Sequence, residues 1–282
     1  CMETKSTLYN EFPLFLKRYF SYKVQKISLN AGFTCPNRDG NKGVGGCTYC
    51  NTQTFNHDYC RTEKSITRQL EEGKQFFAHK YPGMKYLAYF QAYTNTYGEL
   101  EDLKRKYEEA LSADGVVGLV IGTRPDCMPD SLLNYLEEMN RHTFLLVEYG
   151  IESTDDKTLC RINRGHTFCA TADAVERTAS RGILTGGHVI LGLPGETHES
   201  IVAQASVLSR LPLTTLKMHQ LQLIRDTRMA LEYRQHPEDF HLFNVEEYID
   251  LVIDYIEHLR PDLVLERFVS QSPKELLIAP DW

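Results

Sequence analysis

Short apolar runs alternate with longer stretches in which apolar residues recur every three or four positions, and the two patterns take turns along most of the chain. The first suits strands, whose side chains alternate with a period of two; the second marks the buried face of a helix. VQKISL (24–29) predicts a strand and SITRQLEEGKQFFAHKY (65–81) an amphipathic helix. KYLAYFQ (85–91) and GVVGLVIG (115–122) predict two more strands, each followed by a helix, over 99–112 and 130–140. The second of these helices opens on Pro129 and Asp130, residues suited to a helix start. TFLLVEYGI (143–151), ILTGGHVILGL (183–193) and TTLKMHQLQL (214–223) complete six strands, with helices near 168–181, 196–210 and 245–259. DLVLERFV (262–269) is a candidate final strand.

Six strand-then-helix units in a row imply parallel strands joined by right-handed crossovers. Such an α/β chain folds as an open doubly wound sheet or as a barrel. No GxGxxG follows the first strand, against a dinucleotide-binding sheet. The expected fold is therefore an incomplete TIM-like barrel, a partial (β/α)6. Residues 1–23 are expected as a helical extension, 24–223 as the barrel core, and 224–282 as a helix and strand that complete the domain. In barrels the working residues lie at the C-terminal ends of the strands and in the loops after them.

Hydrophobic residues at 42% and charged residues at 24% are ordinary for a globular chain of 282 residues. A formal net charge of −7 excludes a global basic field for nucleic acid, though not a local patch. No apolar run reaches the length of a membrane span and residues 1–12 have no apolar signal core, so a cytoplasmic protein with no membrane partner is expected. Eight cysteines are then many, and in a reducing compartment they read as thiols or metal ligands. Cys1, Cys60, Cys127, Cys160 and Cys169 are scattered and read as buried or incidental thiols.

Cys35, Cys47 and Cys50 are not scattered. They stand in CPNRDGNKGVGGCTYC, directly after the first strand, with Gly40, Gly43, Gly45 and Gly46 allowing the backbone to wrap closely. Structural zinc would need a fourth ligand, from His57 or Cys60. An iron–sulfur cubane held by three cysteines keeps one iron open. The C-x11-C-x2-C spacing alone leaves both readings standing, including that of a zinc-stabilised binding module without catalysis.

Cys47-Thr48-Tyr49-Cys50, with an aromatic residue before the last cysteine, resembles the end of the cysteine signature of radical S-adenosylmethionine (SAM) enzymes. The family's usual first gap is three residues; the gap here, Pro36 to Gly46, resembles the longer-gap subgroup related to the radical SAM domain of the elongator catalytic subunit. FTCPNRDG, YFQAYTNTY, GTRPDC, INRGHT, HVILGLPGE and LLIAPDW extend the resemblance over nearly the whole chain, to a bacterial family linked to modification of the tRNA wobble uridine.

The resemblance implies a radical SAM barrel in which Cys35, Cys47 and Cys50 hold a 4Fe-4S cluster and SAM chelates the open iron. Reductive cleavage of SAM, fed by a flavodoxin- or ferredoxin-type donor, would lead to hydrogen abstraction from substrate. Tyr49 would lie against adenine, with Gly192 and Gly195 of LGLPGE lining its pocket. Glu152 and, on a later strand, His188 match ribose-side positions, and Arg164 the position that holds the methionine carboxylate. YFQAYTNTY replaces the GGE-type segment of other members, so Gln91, Thr94 and Asn95 are the candidates for the SAM amino group. Glu148 shares a strand face with Glu152 and points toward substrate or cluster; its other reading is a buried carboxylate paired with Arg124 or Lys217. Glu148 and Arg124 are the candidate catalytic pair, with Asp126, His219 and Gln220 as further substrate-facing groups. With tRNA as substrate, the base must leave its stack to reach the site. FLKRYFSYKVQK (15–26), with Lys17, Arg18, Lys23 and Lys26 among Phe15, Tyr19, Phe20 and Tyr22, offers either an RNA footprint or an amphipathic segment closing the barrel bottom. A radical SAM enzyme acting on a small metabolite or a protein would use the same barrel.

Overall fold

A two-residue strand β1 (Asn10–Glu11) and a short helix α1 (Phe12–Leu16) open the fold in a computed structural model that describes residues 8–51 and 58–282. The six predicted units follow: β2 (Val24–Leu29) and α2 (Ile66–Phe77), β3 (Lys85–Phe90) and α3 (Leu100–Ser112), β4 (Val116–Thr123) and α4 (Asp130–Asn140). Next come β5 (Phe144–Glu152), a short α5 (Asp156–Arg161), α6 (Phe168–Ala179), β6 (Leu184–Leu191), α7 (His198–Leu208) and β7 (Thr215–Gln220). After β8 (Leu223–Ile224), the chain forms α8 (Arg228–Gln235), α9 (Val245–Glu257), β9 (Val264–Arg267) and β10 (Leu277–Ala279).

The main sheet has eight parallel strands in the order β1-β9-β7-β6-β5-β4-β3-β2, curled into a half-barrel. The partial barrel expected from the six βα units is thus the observed fold, with β9 and β1 added beyond β7. Helix starts carry their own signals: Ser65, Asp155, Thr167, Thr197, Thr227 and Asn244 each accept a backbone N–H two or three residues on.

The large core lies between the outer face of the sheet and the helices, with Leu29, Phe90, Ile121, Val147 and Leu216 packed against Leu70, Tyr107, Leu132, Ala174 and Leu251. A second cluster fills the bottom of the half-barrel, where Phe12, Phe15, Leu16 and Phe20 meet the inward-facing Leu87, Tyr89, Val120, Leu146 and Val264. This settles part of the reading of the segment over 15–26. Phe15 and Phe20 are a plug, and Lys26 lies inside the barrel rather than on a surface open to RNA. Lys17, Arg18 and Lys23 remain exposed at that end.

Candidate active site

The cysteine loop follows β2, and its long first gap is closed by its own backbone. The Gly46 amide donates to the Asn37 carbonyl (2.8 Å), the Lys42 amide to that of Pro36 (2.8 Å), and Asp39 pairs with Val44. Cys35 and Cys47 therefore flank a small hairpin instead of lying at the ends of an open loop. Gly46 has φ +75°, and a Cβ there would meet Arg38 Nε at 2.9 Å, so both conformation and space call for glycine.

The loop docks on the segment after α5, which carries INRGHT. Asn37 Nδ2 donates to the Asn163 carbonyl (2.6 Å), Asn163 Nδ2 to the Gly46 carbonyl (2.7 Å), and the Thr48 amide to the Ile162 carbonyl (2.9 Å). The Met229 amide, in the first turn of α8, donates to the Thr48 carbonyl (2.9 Å). Two donors converge on one sulfur: Arg164 Nη1 lies 3.5 Å and Asn37 Nδ2 3.7 Å from Cys47 Sγ. Arg38 Nη2 donates to the Cys50 carbonyl at 3.1 Å. Asn37, Arg38 and Asn163 were not singled out from sequence; their signal was that they are polar residues inside the two motif loops.

All three cysteines line one cavity of about 260 Å³ at the C-terminal end of the barrel. Tyr49, Gln91, Thr94, Arg124, Glu148, Glu152, Arg164, His188, His219 and Gln220 line it too. Gly192 and Gly195 do not; Gly192 lies against the Phe243 ring and Gly195 near Arg161. Asn95 is also outside, its amide bridging the Phe90 and Gly122 carbonyls at the ends of β3 and β4 (3.0 and 2.7 Å). Asp126 stands behind the lining, where it accepts from Arg124 Nε at 2.9 Å and from Lys42 Nζ at 2.9 Å. Arg124 thus pairs with Asp126, not with Glu148.

At the top of β5, Arg164 Nη2 donates to the Gly150 carbonyl (2.7 Å) and lies 3.5 Å from Glu152 Oε1. A Cβ on Gly150 would fall 2.5 Å from Arg164 Nη2 and 2.7 Å from Glu152 Oε1, so this glycine makes the room in which the pair sits. Glu152 itself has φ +67°, at a register shift between β5 and β6. The buried Arg164 Nε and Arg124 Nη1 have no hydrogen-bond partner among the described residues.

The cavity floor is a charge network inside the barrel. Glu148 accepts from Lys26 Nζ (2.8 Å) and Lys217 Nζ (2.7 Å) and lies 2.9 Å from His188 Nε2. Glu266 accepts from Lys26 (2.7 Å) and stands 3.4 Å from Lys217. Burial alone would raise the Glu148 carboxyl, but Lys217 and Lys26 hold it well below the usual carboxylate range. Burial would lower Lys217; Glu148 and Glu266 hold its ammonium above its ordinary value. His188 is lowered by burial and the Lys217 charge, and His219 well lowered by burial and Arg267. Both rings are neutral at neutral pH, so the Nε2–H of His188 donates to Glu148 and its Nδ1 is left as an acceptor. Glu148 therefore has the buried, Lys217-paired geometry weighed from sequence, with Lys26 and His188 added. Glu266 and Arg267 were missed and Lys26 was read only as part of the basic segment over 15–26, although a charge inside an apolar strand run was their signal.

The donor set fits an iron–sulfur cluster. Three thiols share the cavity, and the Arg164 guanidinium and the Asn37 amide are aimed at the Cys47 sulfur, a second-sphere pattern that stabilises a thiolate ligand. Cys60, one fourth ligand considered for zinc, packs in the core and its thiol is pushed by burial up to about 12. His57, the other, lies outside the described residues. Among the described residues, no three His, Cys, Asp or Glu side chains are placed to hold a single ion, and no helix is long and apolar enough to cross a membrane.

Comparison with known proteins identifies the class. Residues 34–205 match the Radical SAM superfamily and residues 213–282 the Radical_SAM C-terminal domain. The chain belongs to the radical SAM superfamily, whose enzymes use a 4Fe-4S cluster and SAM. Among its relatives are YtqA of Bacillus subtilis, 37% identical over 97% of this chain and 84% of that protein, and YhcC of Escherichia coli K12, 35% identical over 98% and 87%. Its fold is shared with the archaeal Methanocaldococcus infernus Elp3 at a TM-score of 0.67 and 18% identity, over 91% of this chain. The chain spans 59% of the length of that Elp3 structure, and the likeness is one of fold.

Proposed function

We propose that this radical SAM enzyme modifies the wobble uridine of tRNA. The observation that carries the proposal is the long-gap cysteine loop on a barrel that shares its fold with Elp3 over 91% of the chain. In this reading Cys35, Cys47 and Cys50 hold the cluster and an electron donor of flavodoxin or ferredoxin type reduces it. Once bound, cluster and SAM together supply hydrogen abstraction from an unactivated carbon. The protein binds, orients and shields. Arg164, with its unpartnered Nε, receives the methionine carboxylate through a guanidinium fork. Glu152 and His188 take the ribose side and Tyr49 the adenine, with Gly192 and Gly195 supporting the adenine pocket from behind the lining. Gln91 and Thr94 offer acceptors to the amino group. Arg124 and Glu148 belong to the substrate side, Glu148 by holding the His188 ring through its Nε2.

The Gly150 geometry makes the Arg164 assignment testable. Gly150→Ala is expected to displace Arg164 and weaken SAM binding about tenfold, the scale of one charge-assisted hydrogen bond, while leaving iron content near wild type. Equilibrium dialysis of SAM against the reconstituted protein measures it; unchanged affinity would remove Arg164 from SAM binding.

The substrate is tested by nucleoside analysis of total tRNA from a deletion strain. Loss or change of the wobble-uridine derivative, restored by the wild-type gene, is expected. An unchanged profile would leave a radical SAM enzyme with a different substrate, a small metabolite or a protein.

A further inference from the structure

Away from the cysteine loop, where Arg38 faces the thiols of Cys50 and Cys35, the charges around the cavity balance except at one place. Glu148 and Glu266 answer Lys26 and Lys217, Asp126 answers Arg124, and Glu152 answers Arg164. Arg267, at the end of β9, also lines the cavity, and no described carboxylate pairs with it. Its neighbour Glu266 turns to the two lysines. What Arg267 touches is a ring: its Nη2 lies 2.9 Å from Nε2 and 3.1 Å from Nδ1 of His219, and its buried Nε has no hydrogen-bond partner among the described residues. A neutral ring cannot balance a guanidinium, and a cation held in a half-closed cavity without a counter-charge is costly.

The backbone explains how it comes to be there. Leu216 pairs with Leu265, but Lys217 pairs with Arg267, so Glu266 is an extra residue on the β9 side. A bulge of this kind re-aims a side chain. It lets Glu266 reach the lysines below while Arg267 faces the cavity above them. The wall around Arg267 is polar and firmly built: Gln220 exchanges two hydrogen bonds with the Ser270 backbone (2.8 Å each), and Ser272 Oγ donates to Gln222 Oε1 (2.7 Å). These residues line the same cavity as the cysteines and come from the end of β7, the link to β8 and the segment after β9, not from the cysteine loop.

We propose that Arg267 is a substrate-binding residue that receives an anionic oxygen group of the substrate, a carboxylate or a phosphate. The guanidinium fork suits both groups, and the incoming anion supplies the missing counter-charge. The inference rests on reading this cavity as the substrate chamber, not on the substrate being tRNA.

Small fluorinated anions test it on the cluster-reconstituted, SAM-loaded enzyme. Trifluoroacetate serves as the carboxylate probe and monofluorophosphate as the phosphate probe, each titrated while its ¹⁹F line width is followed. At least one should bind saturably to wild type, at least about tenfold more weakly to Arg267→Ala, the scale of a lost charge-assisted hydrogen bond, and with intermediate affinity to Arg267→Lys. The tighter of the two identifies the group. Unchanged iron content and SAM affinity in both variants would show that the fold and cofactor site are intact. Should Arg267→Ala fail to reconstitute, Arg267→Lys carries the test by itself. Equal binding by wild type and variant, or no binding of either anion, overturns the proposal. The probes contain no nucleoside, so a failed tRNA assignment leaves their result standing, and a failure here leaves the tRNA assignment to the nucleoside profile.

Discussion

Glu148→Leu should destabilise the protein by about 3–5 kcal/mol, the penalty for removing one partner of a buried ion pair. Lys217, almost wholly buried, would lose its close partner at 2.7 Å and keep Glu266 at 3.4 Å and the neutral Tyr89 hydroxyl at 3.3 Å. Chemical denaturation should show a lower midpoint with an unchanged slope. A second substitution separates this from simple core damage. In Glu148→Leu/Lys217→Met the remaining Lys26 and Glu266 still pair at 2.7 Å, so most of the loss should be recovered, and the double-mutant cycle reads the coupling directly. The pH dependence has a definite sign. Because Lys217 and Lys26 hold Glu148 below its ordinary 4.5, its contribution is complete above that value and disappears as pH falls through the lower folded-state value. Acid should therefore narrow the stability gap between wild type and Glu148→Leu.

The second large effect concerns the cluster. Cys47 is the most buried of the three cysteines, and the side chains of Arg164 and Asn37 are aimed at its sulfur. Cys47→Ala leaves two thiols and takes away the sulfur at which Arg164 and Asn37 are aimed. Anaerobically reconstituted variant should bind little iron and sulfide and lack the brown absorbance of wild type. The loop backbone is held by amide–carbonyl bonds at Asn37, Thr48 and Gly46, so the fold should survive the substitution with only a modest shift in thermal midpoint. Wild-type iron content in Cys47→Ala would remove this residue from the ligand set.

The six βα units were legible because each carries a clean change of period, from two to 3.6, and the starts of α2, α6, α7 and α9 carry a side-chain cap. Four pieces were not. The two residues of β1 have no periodicity, and their pairing with β9 spans most of the chain. β10 reaches back to β8 by a pairing that no local pattern marks. Helices α5 and α8, of six and eight residues, are too short for a periodic signal to stand out. The cysteines, Tyr49, Glu152 and Arg164 were legible as motif residues that the fold gathers into one cavity. The partners of Glu148 were harder: Lys26, Glu148, Lys217 and Glu266 come from four different strands, and only the barrel's curl brings them together. Arg267 depended on a bulge between β7 and β9, which no pattern in the sequence announces. The aromatic-basic segment over 15–26 shows the opposite lesson. Its composition suited RNA, but burial of its aromatic face under the barrel accounts for Phe15 and Phe20 without any ligand.

The central claim is that Cys35, Cys47 and Cys50 make this cavity a site of reductive SAM chemistry. Its most direct measurement is 5′-deoxyadenosine release from SAM by anaerobic, dithionite-reduced protein, quantified by liquid chromatography. Wild type should release it in a SAM- and reductant-dependent manner, and Cys47→Ala should release none above background. Release at the wild-type rate by Cys47→Ala, or none from fully reconstituted wild type, would contradict the account.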